Sequence, residues 1–195
     1  MTAPSRPRHR RFGAAFLGDR RGVAAVEFAL ISPTIILVLV GLIDIGGMLY
    51  TRFQLDASLN AAANYAQVNA ANVSSTNGAT LASTLAQLAG SPSGSSSSVT
   101  VNNGPTASYS SSTSTPATSS GGTASNADSC YCPTGSGTSV SFGSSQTCGS
   151  TCSGGGYAGK FVQLSTSMNY SPIFSGYGLV SQAGTMQVST VVQVQ

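Results

Sequence analysis

A single glutamate stands inside the longest apolar stretch of the chain, shortly after a glycine and a pair of arginines. Glu27 follows Gly22 by five residues, and Arg20 and Arg21 come directly before Gly22. A carboxylate in a membrane helix is costly unless a cation or a hydrogen-bond donor meets it, so such a residue marks a candidate functional site. The alternative is that Glu27 lies at the level of the lipid headgroups, paired with one of the two arginines.

Four cysteines form the second group of residues that could do chemistry, and they are the only cysteines in the chain: Cys130, Cys132, Cys148 and Cys152. Four thiolates can bind zinc, but the two Cys-x-x-Cys motifs typical of such sites are absent. All four lie on the predicted extracytoplasmic side, where an oxidising compartment favours two disulfides. A bridge from Cys130 to Cys132 would close a small, strained ring, which favours crossed or nested long-range pairs.

Few other side chains could support catalysis. The only histidine, His9, lies in the basic N-terminal tail, and after the apolar stretch the sequence has no glutamate. The ionisable residues there, besides Tyr and Cys, are Arg52, Asp56, Asp128 and Lys160. A histidine-based triad cannot be built from these parts, so we expect no enzyme activity, no bound metal and no cofactor.

The apolar stretch has the length and the flanking charges of one membrane span. Phe28 to Ile43 has no charged residue, and the stretch from Val23 to Tyr50 is longer than the ~30 Å hydrocarbon core requires. Six of the eight Lys and Arg residues precede it, which predicts a cytoplasmic N-terminus rather than nucleic-acid binding. Asp44 should lie at the outer membrane edge, where a carboxylate can reach headgroups or water. A cleaved secretory signal is disfavoured because no small-x-small site follows the apolar stretch.

The segment from Arg21 to Pro33 resembles the TadE/TadG family of the Tad (tight adherence) pilus system. The resemblance rests on the basic leader, on Gly22, on Glu27 and Phe28 as the fifth and sixth residues after it, and on Pro33 within the apolar stretch. It continues through a mid-membrane glycine, an acid near the outer edge and an Ala-rich helix, and it covers about the first 70 residues.

The resemblance implies processing and assembly. A prepilin peptidase would cut between Gly22 and Val23, and Glu27 would then pair with the new amine of Val23 or of a neighbouring subunit. It implies other Tad pilus-assembly proteins and pilin subunits as partners, with no nucleic acid, and a location in the bacterial inner membrane. The length favours the TadE type, because TadG-type members often carry a large extra domain.

Beyond the span the patterns predict an α+β fold with a pilin-like extracytoplasmic domain. Leu55, Leu59, Ala62, Ala66 and Asn69 form one helical row, and 160–170 and 185–195 alternate like half-buried antiparallel strands. Between them lies a stretch in which Ser and Thr make up 21 of the 39 residues 91–129. Apart from a short strand at 99–101, this composition predicts a flexible insert. The expected divisions are a leader at 1–22, the span at 23–50, a helical segment at 51–90, the insert at 91–129, and a cysteine loop with a β-hairpin at 130–195.

Two functions fit these features. The first is a pilus-assembly protein, a minor pilin or pseudopilin that contributes to Tad/Flp pilus biogenesis and adherence. The second is a permanently membrane-anchored binding or surface module with no role in a pilus. The mature N-terminus discriminates between them, because only the first requires a cut before Val23.

Overall fold

A 46-residue helix dominates the molecule and passes from the apolar N-terminal segment into a small α+β domain. The computed structural model describes residues 22–113, 117–137, 139–174 and 183–195. Helix α1 spans Val23–Val68 and continues through Pro33. A short 3₁₀ turn at Ala70–Asn72 follows, and helix α2 spans Gly78–Ala89. Helices therefore occupy most of the segment 51–90 that the sequence predicts to be helical.

A five-stranded antiparallel sheet forms the other layer of the domain. Its strands, in chain order, are β1 (Ser95–Val101), β2 (Thr106–Ser110), β3 (Thr118–Gly121), β6 (Phe161–Tyr170) and β7 (Gly184–Gln193). The spatial order is β3-β2-β1-β6-β7. A separate hairpin pairs β4 (Thr134–Ser136) with β5 (Ser139–Ser141). The α+β class and the C-terminal pair of antiparallel strands are confirmed.

The core lies between one face of the sheet and the two helices. The predicted row on α1, Leu55 to Ala66, is buried, and α2 contributes Leu81 and Leu85. Opposite them, β6 alternates as predicted, with Val162 and Leu164 fully buried. Ala62 and Ala66 on this face of α1 allow the helix backbone to approach the sheet closely.

The prediction of a flexible insert over 91–129 is wrong. This segment supplies three of the five strands of the sheet, and β1 is its middle strand, paired with β2 and β6. Alternate residues of β1 face the core: Ser95, Ser97, Val99 and Val101 are buried. This period of two is that of a strand with one buried face, and the amino-acid composition of the segment did not indicate it.

Hydroxyl groups are tolerated in this core because the C-terminal end of α2 presents carbonyl acceptors to them. The Ser97 hydroxyl donates to the Ala86 carbonyl at 2.6 Å, and the Ser95 hydroxyl donates to the Gly90 carbonyl at 3.0 Å. The Ala89 carbonyl accepts from two hydroxyls, Ser58 at 3.0 Å and Thr166 at 3.2 Å. The serines of the segment thus cap a helix end inside the core.

Candidate functional site

Gly22, Glu27 and Phe28 lie at the start of α1, and the helix begins at the residue that follows Gly22. Val23 is the first helical residue, and Gly22 stands at the cap position without a side-chain cap. Glu27 and Phe28 follow in the second turn, with exposed side chains. Arg20 and Arg21, the alternative partners of Glu27, lie outside the described residues, as does the basic leader.

Gly22 has no structural requirement to be glycine. Its backbone, at φ −93° and ψ −6°, is in a region open to every residue type. A Cβ atom added to it would meet no other heavy atom within 4 Å. Neither backbone conformation nor packing within the described chain therefore explains this glycine.

The first half of α1 presents an apolar surface that the domain does not cover. Of the described residues, one helix is long and apolar enough to cross a membrane, with a mean hydropathy of 2.4 in its most apolar window. Most large apolar side chains from Val23 to Ile43 are at least half exposed, Leu30 at 74%. This uncovered surface has the length and apolar character of a membrane span.

Asp44 ends this exposed stretch, and its environment differs from the sequence expectation. It is fully buried rather than free to reach headgroups or water. Its Oδ1 accepts a hydrogen bond from the backbone N–H of Ile173 at 3.0 Å, whereas Oδ2 is buried without a partner. The segment after β6 folds against α1 at this point and shields the carboxylate.

Tyr170, the last residue of β6, makes the second contact at this junction. Its hydroxyl donates to the Asp44 backbone carbonyl at 2.7 Å. It also lies beside Gly47, where an added Cβ would be 3.3 Å from the tyrosine oxygen. Desolvation raises the pKa of the Tyr170 hydroxyl, and the negative charge of Asp44 adds to the rise. The phenol therefore stays protonated and remains a hydrogen-bond donor across the neutral range.

The four cysteines form two crossed disulfides, one of the arrangements left open by the sequence. Cys130 bonds to Cys148, and Cys132 bonds to Cys152. The sulfur atoms are thereby unavailable as thiolates, which removes the zinc alternative at this cluster. Backbone hydrogen bonds join Tyr131 to Gly159, next to the start of β6, so the loop is attached to the sheet.

Two charged residues of the domain, Asp128 and Lys160, make structural contacts. Asp128 Oδ1 accepts from the Ser75 backbone N–H at 2.9 Å. Hydrogen bonds from the side chain and then from the backbone of Ser75 lower the pKa of the Asp128 carboxyl. The Lys160 ammonium donates to the Val73 carbonyl at 2.9 Å. Both side chains hold the turn between α1 and α2, and Asp128 is engaged with this turn rather than with Asp56.

Two clefts of the described surface are small. One of about 210 Å³ lies beside the Cys132–Cys152 bridge, against Gly154–Gly156 and Tyr157. Another, of about 340 Å³, lies on the outer face of the sheet and is lined by Ser, Thr and Gln side chains. Neither gathers the converging charged groups that would favour the binding-module hypothesis.

The predicted site residues do not converge into one site. Glu27 and Asp44 are 17 positions apart on one helix, about 25 Å, and the disulfide loop belongs to the domain. Sequence reasoning missed Tyr170 and Ile173 as partners of Asp44. Alternation placed Tyr170 on the same face of its strand as Val162 and Leu164, but no local signal linked that strand end to the membrane helix.

Comparison with known proteins agrees with the motif at the start of α1. The family model described as TadE-like protein matches residues 22–64, from the glycine before α1 to near the helix end. Searches of curated proteins and of solved structures found no match. The matched segment contains Gly22, Glu27, the exposed apolar surface and Asp44. Over this segment, 43 of the 195 residues, the chain is similar to the TadE-like family.

Proposed function

We propose that this protein is a minor pilin or pseudopilin of a Tad/Flp pilus, cut between Gly22 and Val23 and anchored in the bacterial inner membrane. Its domain lies outside the cytoplasm, where it contributes to pilus assembly and adherence. One observation carries the proposal. Glu27 is exposed on an otherwise apolar helix surface, and no hydrogen bond or ion pair to it is found within the described residues.

At the inner edge of the hydrocarbon core such a carboxylate favours a cationic partner from elsewhere, because an unpaired charge against lipid is costly. A cut before Val23 creates an ammonium group four residues from Glu27, one helical turn away. The same ammonium on a neighbouring subunit would also serve, and it would align one subunit against the next. The free N–H groups of the first helical turn add a partial positive charge near the carboxylate.

Gly22 supports the processing step. Since the fold accepts a side chain at this position, recognition by a peptidase is a sufficient reason for the glycine. The positive-inside bias supports the orientation, because the cut would then occur on the cytoplasmic side, where the six arginines lie. The crossed disulfides fit a domain in an oxidising compartment.

The mature N-terminus tests the proposal. Mass spectrometry of the membrane-extracted protein from its own host should show Val23 first. Gly22→Val should retain the leader, whereas Gly46→Val should be processed normally. Gly46 is the matched control because it lies within α1, and an added Cβ there also meets no atom within 4 Å.

Glu27 is tested separately from cleavage. Glu27→Gln preserves size and removes the charge, so we expect a cut protein and a loss of piliated cells, counted by electron microscopy. Glu27→Asp should retain part of the piliation. A wild-type protein that keeps its leader, together with normal piliation in Glu27→Gln, would contradict the proposal and favour the anchored binding module.

A further inference from the structure

The segment after β6 carries exposed apolar side chains at the point where the domain meets α1. Ile173 is 71% exposed and Phe174 is 38% exposed, while the preceding Pro172 is buried. Two large apolar side chains at the tip of a polar domain are notable because most of the surrounding strand surface carries Ser, Thr and Gln. Their position relative to the membrane span determines what they contact.

The hydrogen bonds at Asp44 fix that position. The Ile173 N–H binds Asp44 Oδ1 at 3.0 Å, and the Tyr170 hydroxyl binds the Asp44 carbonyl at 2.7 Å. Ile173 therefore lies at the level of Asp44 along α1. It is also next to the exposed helix surface, since Ile43 and Ile45 on either side of Asp44 are both exposed.

The depth of Asp44 follows from the helix rise. If the hydrocarbon core begins at Phe28, directly after the charge of Glu27, Asp44 is about 24 Å further along the helix. The core is ~30 Å thick, so Asp44 lies about 6 Å inside its far edge, and a tilted helix would place it deeper. The edge then falls near Met48, and Tyr50 and Phe53, both exposed, occupy the interface where aromatic side chains are favoured.

The burial of Asp44 is consistent with this depth. A carboxylate 6 Å inside the hydrocarbon needs cover and hydrogen-bond donors, and the segment around Ile173 provides both. At the water-exposed surface of a domain, neither the cover nor the outward-facing Ile173 would be needed.

We propose that Ile173 and Phe174 insert into the lipid leaflet on the domain's side of the membrane, as a second membrane contact beside the α1 span. The occupant of this apolar surface is lipid, because the surface is continuous with the span. The domain is then seated on the bilayer in one orientation rather than raised above it on a helical stalk. This inference rests on the membrane anchoring in the proposed function, but not on cleavage or on a role in a pilus.

The absence of tryptophan from the chain gives a clean experiment, because one introduced tryptophan is the only one that emits. Ile173→Trp and Phe174→Trp keep an apolar side chain and the backbone N–H that binds Asp44. Each full-length variant is reconstituted into vesicles of phosphatidylethanolamine and phosphatidylglycerol. Tyr50→Trp serves as the interface control and Tyr157→Trp, exposed in the disulfide loop, as the water-exposed control.

Lipids brominated on their acyl chains should quench the tryptophan at 173 or 174 at least as strongly as that at 50. Acrylamide in the water should quench the tryptophan at 157 several-fold more than either loop variant. Equal acrylamide quenching at 173, 174 and 157, without quenching by bromolipid, would overturn the inference. Blue-shifted emission without bromolipid quenching would also overturn it, because the loop would then lie against protein.

The same series separates this inference from the anchoring on which it rests. If bromolipid quenches the tryptophan at 50 but neither loop variant, the helix spans the membrane and only the loop insertion is wrong. If the tryptophan at 50 is also unquenched and alkaline carbonate releases the protein from the vesicles, the anchoring fails and the inference fails with it.

Discussion

The Ala89 carbonyl at the end of α2 links this helix to α1 and β6 through hydrogen bonds. Replacing the two donor side chains tests how much these hydrogen bonds contribute to stability. Ser58 on α1 and Thr166 on β6 both donate to it, at 3.0 and 3.2 Å. Each hydroxyl has one proton and a second acceptor nearby, the Leu55 carbonyl for Ser58 and the Ser96 carbonyl for Thr166. The Ala89 carbonyl thus shares two protons, and either hydroxyl alone can satisfy it.

The magnitude follows from this sharing. Ser58→Ala or Thr166→Val should each lower the free energy of unfolding by about 1 kcal/mol, the usual value for one net hydrogen bond. The double variant leaves the buried Ala89 carbonyl without a donor. This unsatisfied acceptor costs about 1–3 kcal/mol in addition to the sum of the two single losses. We therefore expect a double-mutant cycle to give a coupling energy of about 1 kcal/mol or more.

Urea unfolding of the detergent-solubilised full chain, monitored by the circular dichroism of the sheet, measures the free energy of unfolding of each variant. Thr84→Ala is the control, because its hydroxyl donates within α2 to the Thr80 carbonyl on an exposed surface. It should change the free energy of unfolding by no more than about 0.5 kcal/mol. Additive single effects, with no coupling, would show that the Ala89 carbonyl has another partner and would refute the shared-acceptor argument.

Two further predictions concern the domain. Replacing Cys132 and Cys152 by serine opens a loop with a sequence separation of 20. The free energy of unfolding should fall by up to about 3 kcal/mol, and by less if the remaining crossed bridge constrains the same loop. An unchanged urea midpoint under oxidising conditions would contradict this prediction. Hydrogen bonding lowers the pKa of Asp128 from 3.8, so its contribution to stability is present above that pH and is lost as the pH falls through the folded-state pKa. The difference in urea midpoint between the wild type and Asp128→Asn should therefore be largest near neutral pH and shrink below 3.8, whereas a pH-independent difference would argue against the Ser75 contact as its source.

The segment 91–129 illustrates where composition misleads. Its serines and threonines suggested a chain without a core, but Ser95 and Ser97 are buried because α2 ends beside them and offers carbonyl acceptors. A hydroxyl in a core is acceptable only when it finds such an acceptor, and that acceptor comes from another element. By contrast, the strand at 161–170 was predictable because Val162 and Leu164 need no partner other than apolar contact.

Asp44 shows the same limit at the candidate site. Its position on the helix and its distance from Glu27 were readable from the sequence, and its exposure was not. The segment that covers it, around Ile173, lies 129 positions further along the chain. Local patterns carry no information about a contact across that distance.

The sequence by itself determined the long apolar helix, the two C-terminal strands and the pairing of cysteines into disulfides rather than a metal site. Each of these depends on residue type and spacing over a short stretch, because helix periodicity, strand alternation and charge placement are local. Tertiary structure alone decided that β1 is the middle strand of the sheet, that the disulfides cross, and that Asp44 is sealed by the segment after β6. These features depend on which distant groups meet, since a buried polar atom is stable only with a partner that the fold brings to it.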